Sequence, residues 1–186
     1  MARPFLESWK EERGREARAQ RYVRYVMAEP GDELVRALAA VADGDDDHAR
    51  WELRYARRAI GLLVSERDAL NDQTSSDVAA ALDTAHRADP RIAADRRPIA
   101  ERQLNERLSE YRNALADRSG TAATAERLGR VLLSFARGRT ESPDTVALAV
   151  ALAADLAATI VAESNAALRE NYGEASLPDD IRPSEV

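Results

Sequence analysis

The chain has 186 residues, 27 basic against 33 acidic, with two histidines, no cysteine and a net charge of −6. That length suffices for one domain burying roughly 70% of its unfolded surface. The absence of cysteine excludes disulfides, thiolate metal sites and cysteine nucleophiles.

Alanine, leucine, arginine and glutamate dominate, aromatics are few, and no run alternates as a strand does. The expected fold class is therefore all-α: a single-domain antiparallel bundle of about seven helices. The helical domain is expected over residues 1–170 and a polar tail over 171–186. The first residues, MARPFLESWKEERGREARAQ, contain no apolar h-region, so a cytoplasmic protein is expected. All basic residues except Lys10 are arginine, and they are interleaved with acids. This pattern predicts a helical surface laced with ion pairs, not a nucleic-acid face.

Helix one is predicted over 4–28. Phe5, Leu6 and Trp9 make one apolar patch, and Tyr22, Val23, Tyr25, Val26 and Met27 a second, with a charged stretch between them. Such a helix is expected to leave the body or cross to a neighbouring subunit. Glu29-Pro30-Gly31 ends it, and Asp32 is the expected cap of helix two, with Leu34, Val35, Leu38 and Val41 on one side.

The acids of Asp45-Asp46-Asp47 belong at the start of helix three, where free amides and the positive end of the dipole favour them. Leu53, Ala56, Ile60 and Leu63 line its expected core side, and Arg50, Arg54, Arg57 and Arg58 the opposite one. Thr74 or Ser76 is the expected cap of a short fourth helix ending near Ala88. Residues 89–98, with two prolines, are expected to form a loop with a brief helical turn. In the next helix, Leu104, Leu108, Tyr111 and Leu115, with Ile99 before them, predict a narrow seam against one partner helix. Leu128, Val131, Leu132 and Phe135 carry the sixth helix.

The last helix, over about 143–170, is the expected centre of the bundle. Ser142 caps it, Pro143 opens it, and neither Pro nor Gly interrupts the stretch that follows. Its apolar residues point in too many directions for one face, which predicts burial on most of its circumference. Residues 145–162 resemble a membrane span in composition, but they hold Asp155 and are mostly alanine; a buried helix outside any membrane is expected.

Two chemistries are written in the pattern. Each histidine follows an aspartate by three, Asp45-x-x-His48 and Asp83-x-x-His86, a spacing that puts both on one helix face. With Asp155 and Glu163 as bridging carboxylates and Glu52 one turn beyond His48, this is the outline of a metal-binding bundle. His48, His86, Asp83, Asp155 and Glu163 would then hold Fe or Mn for an oxidoreductase. Asp155, Thr159 and Glu163 also lie on one stripe, and contact with solvent along it is the expected reason for them. The second chemistry is association. Phe5, Leu6, Trp9, Tyr22 and Tyr25 are the expected interface anchors of a homo-oligomer with no cofactor and no membrane or nucleic-acid partner. The alanine-rich helices also leave room for a small apolar ligand, the mark of a regulatory domain. No glycine-rich phosphate loop, nucleophile elbow or His-Glu-x-x-His motif occurs. The principal expectation is a non-catalytic protein acting by self-association.

Overall fold

A computed structural model describes residues 3–42, 44–69, 71–116, 120–137 and 143–173, and the side chains of these except at 3–10 and 143–146. The fold is all-α, with no strand among the described residues. The helices are α1 (Arg3–Val26), α2 (Asp32–Val41), α3 (Asp46–Asp68), α4 (Asp72–Arg87), α5 (Arg97–Ala116), α6 (Thr121–Ala136) and α7 (Pro143–Tyr172). A single 3-10 turn, Ala94–Arg96, lies in the connection between α4 and α5, where the two prolines predict it.

Local chemistry sets the starts. Asp45 caps α3, its carboxylate accepting from the His48 amide at 3.0 Å. Asn71 caps α4 in the same way, accepting from the Thr74 amide at 2.8 Å. The fourth helix thus begins before the Thr74 and Ser76 caps expected for it, because Asn71 already satisfies the free amide. Helix α2 is capped by Gly31, not Asp32. The Asp32 carboxylate instead accepts from Arg50 of α3 at 2.9 Å, in the first turn of α2. Gly120 precedes α6 at φ 101°, ψ 160°, a backbone region essentially restricted to glycine.

One contiguous apolar core runs from Ala19 of α1 to Leu168 of α7. Its hub is α3, which packs against every other helix, while α7 packs against α6, α3, α1 and α2. Buried positions occur all around α3, including Arg57, Arg58, Glu52 and Asp68. This corrects the expectation of an arginine face turned to solvent. It also corrects the expected burial of α7. Ala149, Ala153, Leu156, Ala157, Ile160 and Leu168 are buried, but Ala147, Leu148, Ala151, Asp155, Ala158, Thr159 and Ala162 are exposed.

Helices α6 and α7 approach each other closely at Gly129. A β-carbon added at Gly129 would stand 2.5 Å from the Ala154 backbone nitrogen, so only glycine fits. On α5 the buried set is Ala100, Leu104, Arg107, Tyr111 and Ala114. Leu108 and Leu115 are only partly buried and Ile99 is exposed, so the seam is rotated from the expected one and takes in an arginine.

Candidate functional site

Two regions carry features that packing alone does not account for. The first is a polar network inside the core. Arg58, 1% exposed, donates through Nη2 to the Asp89 carboxylate and points Nη1 at His86 Nδ1, 2.8 Å away. Asp89 follows the end of α4, and its carboxylate is also held by Arg91, through the amide at 3.0 Å and Nε at 2.6 Å. Arg91 continues the chain of charges to Glu29, which Arg54 holds from the other side with Nη2 at 2.8 Å. The α1–α2 connection, α3 and the α4–α5 connection are thereby tied together.

The electrostatics of this network have definite directions. Burial by itself would raise the Asp89 carboxyl, but the bonds from Arg91 and Arg58 outweigh it and hold the group below its ordinary value. Burial lowers the Arg58 guanidinium, and Asp89 opposes that shift. His86 is lowered chiefly by burial and then by the Arg58 charge, with the Ala100 backbone, Asp89 and Glu101 acting the other way. A second buried pair ties α3 to α5: Arg107 grips Glu52 with both arms, at 3.0 and 2.7 Å. The same guanidinium lies 4.1 Å from the Phe135 ring centroid and 5.1 Å from that of Tyr55.

The second region is the outer surface of α6 and α7. Leu148 is 72% exposed, and around it the described residues of α7 present Ala147, Ala151, Asp155, Ala158 and Ala162 to solvent. Between the two helices runs an open groove of about 550 Å³, floored by Ala125, Val150, Ala151 and Ala154 and edged by Arg130 and Asp155.

The predicted metal ligands are not brought together. His48 is exposed at the start of α3, with Nε2 3.0 Å from the Phe135 carbonyl oxygen. His86 is buried against Arg58, and the exposed Asp83 bonds to Arg87 at 3.0 Å. Asp155 is exposed, and Glu163 accepts from the Tyr25 hydroxyl at 2.8 Å and pairs with Arg57 at 3.4 Å. Among the described residues no group of three or more histidine, aspartate or glutamate side chains is placed to hold a metal ion.

Of the expected interface anchors, Tyr22 is fully buried in the chain's own core, its hydroxyl donating to the Gly61 carbonyl at 2.7 Å. Tyr25 is half-buried, committed to Glu163 and lying under the Arg57 guanidinium, 4.8 Å away. Neither presents a free aromatic surface. The side chains of Phe5, Leu6 and Trp9 lie outside the described residues, as does the tail from 174 onward.

Sequence reasoning missed Arg58, Asp89 and the Glu52–Arg107 pair. The signal for Arg107 was present, since it stands three residues after Leu104 and four before Tyr111, on the seam itself. For Arg58 and Asp89 the separation along the chain left no local pattern. One helix, over Ala147–Tyr172, is long and apolar enough by composition to cross a membrane. It is nevertheless packed along one side against four helices, with Glu163 and Asn171 bonded to residues of α1.

Comparison with known proteins gives no match to a protein family, to a curated protein or to a solved structure.

Proposed function

We propose that this protein acts by self-association through the outer surface of α6 and α7, as a non-catalytic module of protein interaction or structural organisation. The observation that carries the reading is the exposed apolar face of α7, with Leu148 72% exposed at its head. An apolar face left open on a helical protein is a feature of interaction surfaces. A second copy is the occupant that fits its chemistry. Asp155 on α7 and Arg130 on α6 edge the same groove, so a two-fold contact sets an acid of each copy towards a base of the other. Arg130 already bonds to Glu126 at 2.6 Å, but both are over half exposed, and such a surface pair exchanges partners at little cost. The alanines at 147, 151, 158 and 162 keep the face thin, so the α7 helices of two copies can approach closely, as α6 and α7 do within one chain.

Native mass spectrometry, with light scattering after gel filtration, tests this. The expected result is a dimer that the exposed-site change Ala151→Arg converts to monomer without altering the helical signal or the melting temperature. A wild-type chain that stays monomeric across micromolar concentrations overturns the proposal, and so does a dimer indifferent to Ala151→Arg.

A further inference from the structure

Independently of the α6–α7 surface, α1 and α4 form a second open groove, of about 630 Å³. The two helices run parallel along it. Arg15 Nε stands 3.5 Å from Asp77 Oδ2 at one end, and at the other Arg91, just beyond α4, donates to the Met27 carbonyl at 3.3 Å. Ala19, Val23, Ala81 and Ala85 line the groove, and none of its described lining side chains has an unpartnered buried polar atom. Nothing in it calls for a small polar ligand.

The α1 edge of the groove carries the pattern that decides its occupant. Glu16, Gln20 and Arg24 are exposed there and follow one another at four-residue spacing, on one face of the helix. Among the described residues neither Glu16 nor Arg24 has a partner of opposite charge. The acid and the base stand about 12 Å apart along the helix, with Gln20 midway between them. A second copy laid antiparallel on this edge, with a two-fold axis at Gln20, sets Glu16 of each chain against Arg24 of the other. A parallel copy would set acid on acid and base on base. The antiparallel axis also lays groove on groove, so that four helices enclose the alanines. It sends the two Asp77 carboxylates, the remaining charge among the described lining residues, to opposite ends.

We propose that the α1–α4 groove is a second self-association surface, on which two copies pack antiparallel through α1 and α4 with reciprocal Glu16–Arg24 pairs. Exposed ion pairs hold weakly, and alanine buries little area. The contact is therefore expected above the micromolar range assigned to the α6–α7 dimer, where it joins dimers to one another.

The test uses the full chain carrying Ala151→Arg, which blocks the α6–α7 contact so that only the second surface is read. If α6–α7 is not an interface, that change is silent and the second surface is still read alone. Sedimentation equilibrium at about 1 mM chain, where a weak contact is populated, should show a dimer that raised salt dissociates. Glu16→Arg and Arg24→Glu lie on an exposed stripe and should keep the helical signal. By symmetry each reversal acts on both pairs of the contact, and each should weaken the dimer about tenfold or more. Both reversals in one chain rebuild the pairs in opposite order, and so does an equimolar mixture of the two single variants. Either sample should regain the affinity of the Ala151→Arg chain. A chain that stays monomeric at this concentration overturns the proposal and leaves the groove to a different partner. So does a dimer that the single reversals leave intact, or one that neither the double reversal nor the mixture restores.

Discussion

Helices α3 and α7 invert what their residues suggest. The segment of α3 around Arg54-Tyr55-Ala56-Arg57-Arg58 is rich in charge, yet α3 is the hub, buried on every side. The alanine-rich α7 has one charged residue, Asp155, between 147 and 162, yet one whole face of that stretch is open to solvent. The cause is partner supply. Each arginine turned inward from α3 meets a carboxylate fixed on another element, Asp89 for Arg58 and Glu163 for Arg57, so the charge enters the core paired. Among the described residues nothing packs on the outer face of α7. Alanine also contributes little area there, so leaving that face open costs less than exposing the same number of leucines.

The largest effect should come from breaking the charge pairing under α3. Arg58→Ala leaves Asp89 buried with Arg91 alone and His86 Nδ1 without its donor. We expect a loss of about 3–5 kcal/mol in urea unfolding, whereas the joint change Glu52→Met with Arg107→Leu, which removes a buried pair whole, should be near neutral. If Arg58→Ala melts like the parent chain, the network does not hold the hub in place.

The close side of α7 gives the next effect. Gly129→Ala drives a β-carbon into the Ala154 backbone, which cannot yield as a flexible side chain does. Overpacking of this kind costs typically about 1–3 kcal/mol, readable as a lowered melting temperature. The same change at Gly61 meets only the Val26 side chain, at 2.7 Å, and should cost less.

Acid should act on the network before it acts on α7. The folded state holds His86 below its ordinary value of 6.5, so the unfolded chain takes up that proton first as pH falls. Stability from this group is complete above about pH 6.5 and declines below it, with a slope of at most about 1.4 kcal/mol per pH unit, until the folded value is passed. Asp89, also held low, adds a second decline below the ordinary aspartate value of 3.8. Denaturant melts between pH 7 and 5 should show the first decline in the parent chain and lose it in His86→Asn; a decline unchanged by that substitution would place its origin elsewhere.

The smallest effect belongs to the open face. Leu148→Gln should alter monomer unfolding by under about 0.5 kcal/mol, as exposed substitutions do, while weakening the proposed self-association.

The helix count, the ends of α1, α3 and α4, the 3-10 turn and the span of α7 were legible in the sequence, because caps, prolines and apolar spacing act within a few residues of one another. Asp45 caps α3 as its place in the acid run implies, and the start of α7 follows from Pro143. The sites were not legible in the same way. His48 and His86 share a spacing but not a neighbourhood, since one lies at the exposed start of α3 and the other at the buried end of α4. Arg58, His86 and Asp89 meet only because α3 and α4 pack together, and nothing in the 28-position separation of Arg58 and His86 announces the contact.

The sequence by itself determined that this chain is helical and where most helices begin and end, since those choices are settled by hydrogen bonds and sterics within a turn or two. Only the tertiary structure decided which helix lies at the centre, which arginines turn inward and which face of α7 stays open. Those outcomes depend on whether a partner of opposite charge or sufficient volume is delivered from a distant part of the chain, and local spacing carries no record of that.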